Sequence, residues 1–193
     1  MIVAMMLPSS LPLVRLFSRT CAGQPRPRAA MAGFLGGYAL VWSCFGALAF
    51  GLDAALHAAV DANAGLHSHA WLIGGSVLAL AGAFQFTRLK DACLDTCRHP
   101  AQFLLRFYER GVAGGLRVGV RHGAYCVGCC WALMLVMFAA GVASLVCMAL
   151  LTAVMVHEKT HPAGRRAVSV TGVALLATGV VALLASAHVN GLL

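Results

Sequence analysis

The residues best suited to chemistry in this sequence are three cysteines in the stretch GAYCVGCCWALMLVMF. Cys126 is followed by Cys129 and Cys130, so the thiols are separated by three and four positions. Residues at these spacings share one face of an α-helix. The rest of the stretch is apolar, and the pattern therefore predicts a cluster of thiols at the beginning of a hydrophobic helix.

The helix face that carries the thiols also carries other residue types that bind metals. It reaches His122 upstream, and Met134 and Met137 downstream. Thiolate and thioether sulfurs are soft ligands that favour Cu(I), whereas thiolates with imidazole suit Zn(II) equally well. The thioethers therefore favour copper as the bound metal, with zinc as the alternative, although methionine also fills apolar cores without any metal.

A second pair of thiols lies in the segment LKDACLDTCRHP, where Cys93 and Cys97 are one helical turn apart. This segment is expected on the same membrane face as Cys126. We therefore predict that the two cysteine groups contribute sulfur ligands to one shared metal site. The alternative is a charged helix in which these two thiols are incidental.

The remaining thiols and imidazoles give weaker signals. Cys44 and Cys147 lie singly in apolar runs, which predicts buried small hydrophobic residues. Cys21 lies in a predicted Pro/Arg loop without co-ligands. An acidic loop predicted after residue 52 holds a histidine cluster, although solvated histidines are ordinary in loops; its members are His57, His67 and His69.

Composition indicates which elements must position these ligands. Of the 193 residues, 61% are hydrophobic and only 10% are charged, and the mean hydropathy is +0.85. This balance predicts an all-α, polytopic transmembrane helix bundle in contact with membrane lipid. The net charge of +8 lies in connecting segments rather than in a basic domain, which argues against nucleic acid as a partner.

We predict one membrane domain over residues 1–193, with five spans at about 33–52, 70–86, 118–140, 144–157 and 167–187 after a short helix at about 1–16. The uncharged run from Ala124 to Val156 would be roughly 50 Å long as one helix, which exceeds the hydrocarbon core. A tight reversal at Gly141 to Ser144 would divide it. With that division every Lys and Arg lies on one side, and the positive-inside rule makes it the cytoplasmic side.

Residues 88–121 are the predicted cytoplasmic segment. Within it, the sequence AQFLLRFYER separates Phe103, Leu104 and Phe107 from the basic Arg106 and Arg110. This separation predicts an amphipathic helix that lies in the membrane interface.

Four motifs distributed along the chain carry a family resemblance: AMMLP at Ala4 to Pro8, LKDACLDTCRHP at Leu89 to Pro100, RHGAYCVGCCWALM at Arg121 to Met134, and the pair Glu158 and Lys159. They are similar to those of a bacterial family of predicted metal-binding integral membrane proteins. The resemblance covers nearly the whole chain and implies a metal ion as the bound partner, without specifying which metal. Compared with that family, the chain looks short at its N-terminus.

Three functions are compatible with these patterns. The first is a protein of the bacterial inner membrane, not necessarily an enzyme, that binds, stores or transfers Cu(I) at the cytoplasmic face. The second is a quinone-linked thiol oxidoreductase that uses Cys126 and Cys129, whose attacking thiol would need a lowered pKa. The third is a non-catalytic membrane assembly partner. The reducing cytoplasm keeps thiols available for metal, which favours the first.

Overall fold

A computed structural model describes residues 2–63, 70–139 and 144–189. Of the described residues, 90% are helical and none forms a strand, so the prediction of an all-α fold is confirmed. The helices in the described ranges are α1 (Ile2–Cys21), α2 (Pro27–Ala62), α3 (Ala70–Phe84), α4 (Arg88–Arg98), α5 (Pro100–Phe107), α6 (Gly111–Ala139), α7 (Leu145–Thr160) and α8 (Gly164–Val189).

Three helical segments in the described residues are long and apolar enough to cross a membrane: Pro27–Ala62, Gly111–Phe138 and Gly164–Ala185. A fourth is possible if Leu72–Phe84 and Arg88–Arg98 form one broken span. Helix α7 has 16 residues, or about 24 Å, which is shorter than a typical hydrocarbon core. The five-span topology therefore stays a prediction.

Two helices extend beyond the predicted spans, whose own bounds stay predictions. Helix α2 continues through the predicted acidic loop to Ala62, because the segment DAALHAAVDA is rich in strong helix formers. Helix α6 begins at Gly111 rather than near residue 118, and this glycine has φ +79°, a left-handed conformation that other residues rarely adopt. Of the predicted reversal, residues 141–143 lie outside the described residues, while Ser144 caps α7 by accepting a hydrogen bond from the Cys147 N–H.

The helices pack into two compact units. The first unit contains Met1–Gly46 and Arg88–Cys130, and the second contains Ala47–Thr87 and Trp131–Leu193. The cysteines with the strongest metal-binding spacing all fall in the first unit. The second unit has its own core around Phe84, whose ring packs edge-on against Trp131 with centroids 4.9 Å apart.

The core of the first unit brings α1, α2, α5 and α6 together. Phe17 of α1 stacks on Phe34 of α2, with ring centroids 4.7 Å apart. The amphipathic helix α5 buries Phe103 and Leu104 in the same core, while Leu105 is 88% exposed. The predicted amphipathic character of this segment is confirmed, and its position in the membrane interface stays a prediction.

Glycines allow the backbones of α2 and α6 to approach closely. A Cβ added at Gly33 or Gly37 would meet the backbone carbonyl of Val112 or Leu116, respectively. A Cβ at Gly119 would meet the carbonyl oxygen of Phe34. Small residues at such positions are typical of helix contacts in membranes. This contact sets how near the side chains of α2 come to the thiols of α6.

Candidate metal site

The three cysteines of α6 lie in the interior of the first unit. Cys126, Cys129 and Cys130 are exposed to 0%, 1% and 1%. The thiols of Cys129 and Cys130 both donate to the backbone carbonyl oxygen of Cys126, with S···O distances of 3.1 and 2.8 Å. Binding a metal as thiolates would require both sulfurs to lose their protons and to turn away from this carbonyl.

A buried hydroxyl of α1 connects the thiol face to the imidazole. Ser10 Oγ lies 3.2 Å from His122 Nε2, 3.0 Å from the Tyr38 hydroxyl and 4.0 Å from Cys126 Sγ. The Tyr38 hydroxyl is itself 3.3 Å from Cys126 Sγ. The Ser10 hydroxyl is therefore in position to donate a hydrogen bond to a Cys126 thiolate, which lowers the cost of a buried negative charge. The Tyr38 hydroxyl can do the same only by releasing the Met6 carbonyl oxygen, to which it donates its single proton.

His122 lies in an aromatic enclosure beside the thiols. Its ring stacks on Tyr38 and on Phe34, with centroid distances of 5.5 and 6.2 Å. Phe103 packs against it edge-on at 5.6 Å. The enclosure fixes the plane of the imidazole, and Ser10 occupies the hydrogen-bonding direction of Nε2. His122 is thus part of the polar cluster, and its role as a metal ligand stays a prediction.

Met6 supplies a thioether that the ligand spacing alone did not indicate. Its Sδ lies 3.9 Å from Cys130 Sγ, and the residue is fully buried. Two sulfurs that each lie about 2.3 Å from one ion can be separated by at most about 4.6 Å. The pair can therefore bind a single ion with little movement. The backbone of Met6 is held by the Ser9 hydroxyl and the Tyr38 hydroxyl, which both donate to its carbonyl oxygen.

Cys93 of α4 is the member of the second cysteine pair that contacts α6. It is 8% exposed, and a Cβ added at Gly128 would lie 2.7 Å from its Sγ. Burial raises the pKa of the Cys93 thiol, and the neighbouring Cys129 raises it further. Cys97 lies one turn along α4 and is half-buried.

Met134 is also buried, with 3% exposure, but it belongs to the second unit. Its role as a ligand stays a prediction. In the described part of the chain, no group of three or more His, Cys, Asp or Glu side chains is arranged to hold a metal ion. The structure instead brings together two kinds of sulfur, the thioether of Met6 and the thiol of Cys130.

The predictions for the isolated cysteines were wrong. Cys44 is exposed on the surface of α2 and Cys147 is half-buried on α7, because apolar residues form much of a protein's surface as well as its core, so an apolar run does not imply burial. Cys21 is the last residue of α1 rather than part of a loop, and it is 1% exposed within the aromatic core of the first unit.

The predicted histidine cluster is only partly described. His57 lies on the exposed surface of α2, where its Nδ1 is 2.9 Å from the carbonyl oxygen of Asp53. His67 and His69 lie outside the described residues. The local contact of His57 with the preceding helical turn gives no indication of a metal site.

The chain was compared with known proteins. Residues 1–182 match the model of the PpoB2 family, whose description is 'copper chaperone'. No curated protein and no solved structure showed a significant match. The matched range includes the helices that bring Met6 to Cys130, and the description agrees with the soft sulfur donors found there.

Proposed function

This chain belongs to the PpoB2 copper chaperone family, and we propose that it holds Cu(I) between Met6, Cys126 and Cys130 before passing the ion to another protein. The observation that carries this proposal is the 3.9 Å separation of Met6 Sδ and Cys130 Sγ in a fully buried cluster. A thiolate paired with a thioether is a soft ligand set that favours Cu(I).

Charge balance supports a monovalent ion in this interior. Each cysteine that binds the metal loses a proton and gains a sulfur–metal bond. A buried thiolate is costly unless a cation neutralises it. One Cu(I) compensates the charge of one thiolate, and the hydroxyl of Ser10 is close enough to stabilise the remaining charge at Cys126.

The thioether gives the most direct test, because Met5 and Met6 are adjacent and both fully buried. We expect purified, detergent-extracted protein to contain copper in preference to zinc. Met6→Leu should weaken Cu(I) binding by about tenfold, since leucine keeps the volume but removes the soft ligand. Competition with a Cu(I) chelator measures the affinity, and Met5→Leu is the matched control.

Equal affinities of the Met6→Leu and Met5→Leu variants would contradict a role for the thioether. Zinc at one equivalent with no copper after anaerobic reconstitution would favour a closed structural zinc site. A stable disulfide between Cys126 and Cys129 with no metal recovered would instead favour the thiol oxidoreductase.

We also propose that Cys93 and Cys97 capture copper for the buried cluster. The support is the contact of the Cys93 thiol with α6 at Gly128, and its electrostatic interaction with Cys129. Half-buried Cys97 is the more accessible thiol of the pair. An ion bound at Cys97 would have to move by only one helical turn along α4 to reach Cys93.

Serine at both Cys93 and Cys97 is therefore expected to lower the copper content of the purified protein to about half or less, because oxygen is a poor ligand for Cu(I). Elemental analysis after identical expression measures the content, and Cys44→Ser is the control because that thiol is exposed and isolated on α2. Full retention of copper in the double variant would rule out the shared site.

We propose the bacterial inner membrane as the location. The support is three long apolar helices together with Lys and Arg residues concentrated in connecting segments, which predicts that those segments are cytoplasmic. Reporter fusions test this topology. Fusion after Gly164 should report the cytoplasm and fusion after Ala64 the periplasm; a periplasmic signal at Gly164 would rule out the reversal at Gly141 to Ser144.

A further inference from the structure

A surface cavity of about 370 Å³ in the first unit shares no residue with the proposed copper site. Two arginines line it, Arg26 and Arg110, and both are exposed. In the described part of the chain, neither side chain makes an ion pair or a hydrogen bond. Small-molecule sites in proteins commonly measure about 300–1,000 Å³. The cavity is therefore large enough for a small polar ligand, and it places two unpaired guanidinium groups around one space.

The protein does not balance the positive charge of this cavity. Among the described residues, those that line it include no acidic side chain. The carboxylate nearest in sequence is Glu109, and it forms ion pairs with Arg117 and Arg121 instead. Arginine stays charged in proteins and donates hydrogen bonds without accepting any. A ligand for this cavity must therefore be an anion with several acceptor atoms.

The two helices that begin at the cavity, α2 and α6, increase its positive potential. Gly33 of α2 approaches Val112 of α6, and one turn later Gly37 approaches Leu116. The two helices therefore run in the same direction, and their N-terminal ends lie side by side. Each of these ends carries a partial positive charge. An anion bound between the arginines would reduce the repulsion among all of these charges.

The wall of the cavity is held in place by a chain of hydrogen bonds. Gln24 Oε1 accepts from the Gly111 N–H at 2.8 Å, and Gln24 Nε2 donates to the Tyr108 hydroxyl at 2.9 Å. That hydroxyl donates in turn to the carbonyl oxygen of Thr20 at 3.2 Å. These bonds join the loop after α1 to the beginning of α6. The cavity is thus formed without a ligand, which lowers the entropy cost of binding one.

The cavity lies at the depth expected for lipid headgroups. Arg26 and Gly111 each precede the start of a predicted span, at residue 33 or 118, by about 10 Å of helix. The headgroup layer lies directly outside the hydrocarbon core. Helix α5 ends just before the cavity, and its Leu105 is 88% exposed, as expected for an amphipathic helix in the interface.

We infer that this cavity binds a phosphate group, supplied by the headgroup of an anionic phospholipid or by a free phosphate. A guanidinium group donates paired hydrogen bonds to phosphate oxygens, and these charge-assisted bonds are among the strongest in proteins. Arg26 and Arg110 belong to different segments, so a phosphate held by both would tie the start of α2 to the start of α6. Basic pockets between helices on the cytoplasmic side typically bind anionic headgroups, which favours the lipid as the source.

Thermal unfolding of the full chain, purified in detergent and freed of lipid, tests the inference. Saturating phosphatidylglycerol should raise the unfolding midpoint by about 5 °C, because a ligand that binds only the folded state stabilises it. Phosphatidylcholine should raise the midpoint by less than about 2 °C, because its choline neutralises the phosphate. Sodium phosphate at constant ionic strength is the third ligand.

Replacing both arginines identifies where the ligand binds. Arg26→Gln with Arg110→Gln should reduce the effect of phosphatidylglycerol to about a third or less, because the charged donors are lost. Arg26→Lys with Arg110→Lys should have an intermediate effect, since lysine keeps the charge but not the paired donors. The matched control, Arg15→Gln with Arg166→Gln, removes the same charge from two exposed arginines that do not line the cavity, and it should keep the full effect.

The three ligands also identify the source of the phosphate. An arginine-dependent effect of phosphatidylglycerol alone indicates a lipid headgroup, whereas an equal effect of sodium phosphate indicates a free phosphate. The inference is wrong if neither ligand stabilises the protein, if phosphatidylcholine acts as strongly as phosphatidylglycerol, or if the glutamine and control variants respond equally. The copper content should match wild type in all of these variants, so failure of the phosphate site leaves the proposed function standing.

Discussion

Serine at both Cys126 and Cys130 is expected to reduce the copper content of the purified protein to about a tenth of the wild-type value or less, because two soft thiolates are replaced by hydroxyls that bind Cu(I) poorly. Both thiols are buried on the same face of α6, and Cys130 is the residue paired with the Met6 thioether. Elemental analysis after anaerobic reconstitution measures the loss.

The matched control replaces two thiols outside the cluster, Cys44 and Cys147, which are exposed and half-buried. This variant should retain the wild-type copper content. Serine fills nearly the same volume as cysteine, so thermal unfolding of both double variants distinguishes lost ligands from a lost fold. Wild-type copper in the Cys126/Cys130 variant would exclude these residues as the principal ligands.

Alanine at Gly37 is expected to destabilise the protein by about 2 kcal/mol or more, since overpacking commonly costs about 1–3 kcal/mol and here the added methyl group meets backbone rather than a movable side chain. The new Cβ would meet the Leu116 carbonyl and would lie 2.9 Å from the Val120 nitrogen. Helices α2 and α6 would have to separate, which would also draw Tyr38 away from Cys126. Unfolding in detergent, followed by circular dichroism, measures the stability.

Gly36→Ala is the matched control on the same helix. No atom lies within 4 Å of a Cβ added at Gly36, so this change should be neutral or should stabilise the helix by up to about 1 kcal/mol. Equal stabilities of the two variants would show that the close α2–α6 contact is not required.

The thiol cluster was predictable because its three cysteines lie close together in the sequence. Spacings of three and four positions place Cys126, Cys129 and Cys130 on one helix face whatever the surroundings. Met6 and Ser10 could not be found in this way. Met6 is separated from Cys130 by 124 positions, and hydropathy does not specify which apolar helices become neighbours. The adjacent pair Met5 and Met6, ahead of Pro8, was the available signal.

The ends of helices were predictable only where the local sequence determines them, and the pairing of helices was not predictable from the local sequence. Hydropathy predicted where α2 enters an apolar region, but the helix does not end where the apolar run ends, because alanine-rich polar sequence also favours helix. The glycine spacing in GFLGGYAL and GGLRVGVRHG is visible in the sequence. The pairing of these two segments becomes known only from the structure, since each could pack against any smooth helix surface.

The separation between Ser10 and Cys126, 116 positions along the chain, has a consequence for biosynthesis. The proposed sulfur ligand Met6, like Ser10, emerges from the ribosome early, whereas the thiols of Cys126 and Cys130 emerge only after α1 to α5 have been made. Domains generally fold as units once their sequence is available. The proposed ligand set therefore cannot assemble on the nascent chain until α6 is synthesised, and under the proposed function copper acquired before that point is held only by partial, weaker coordination.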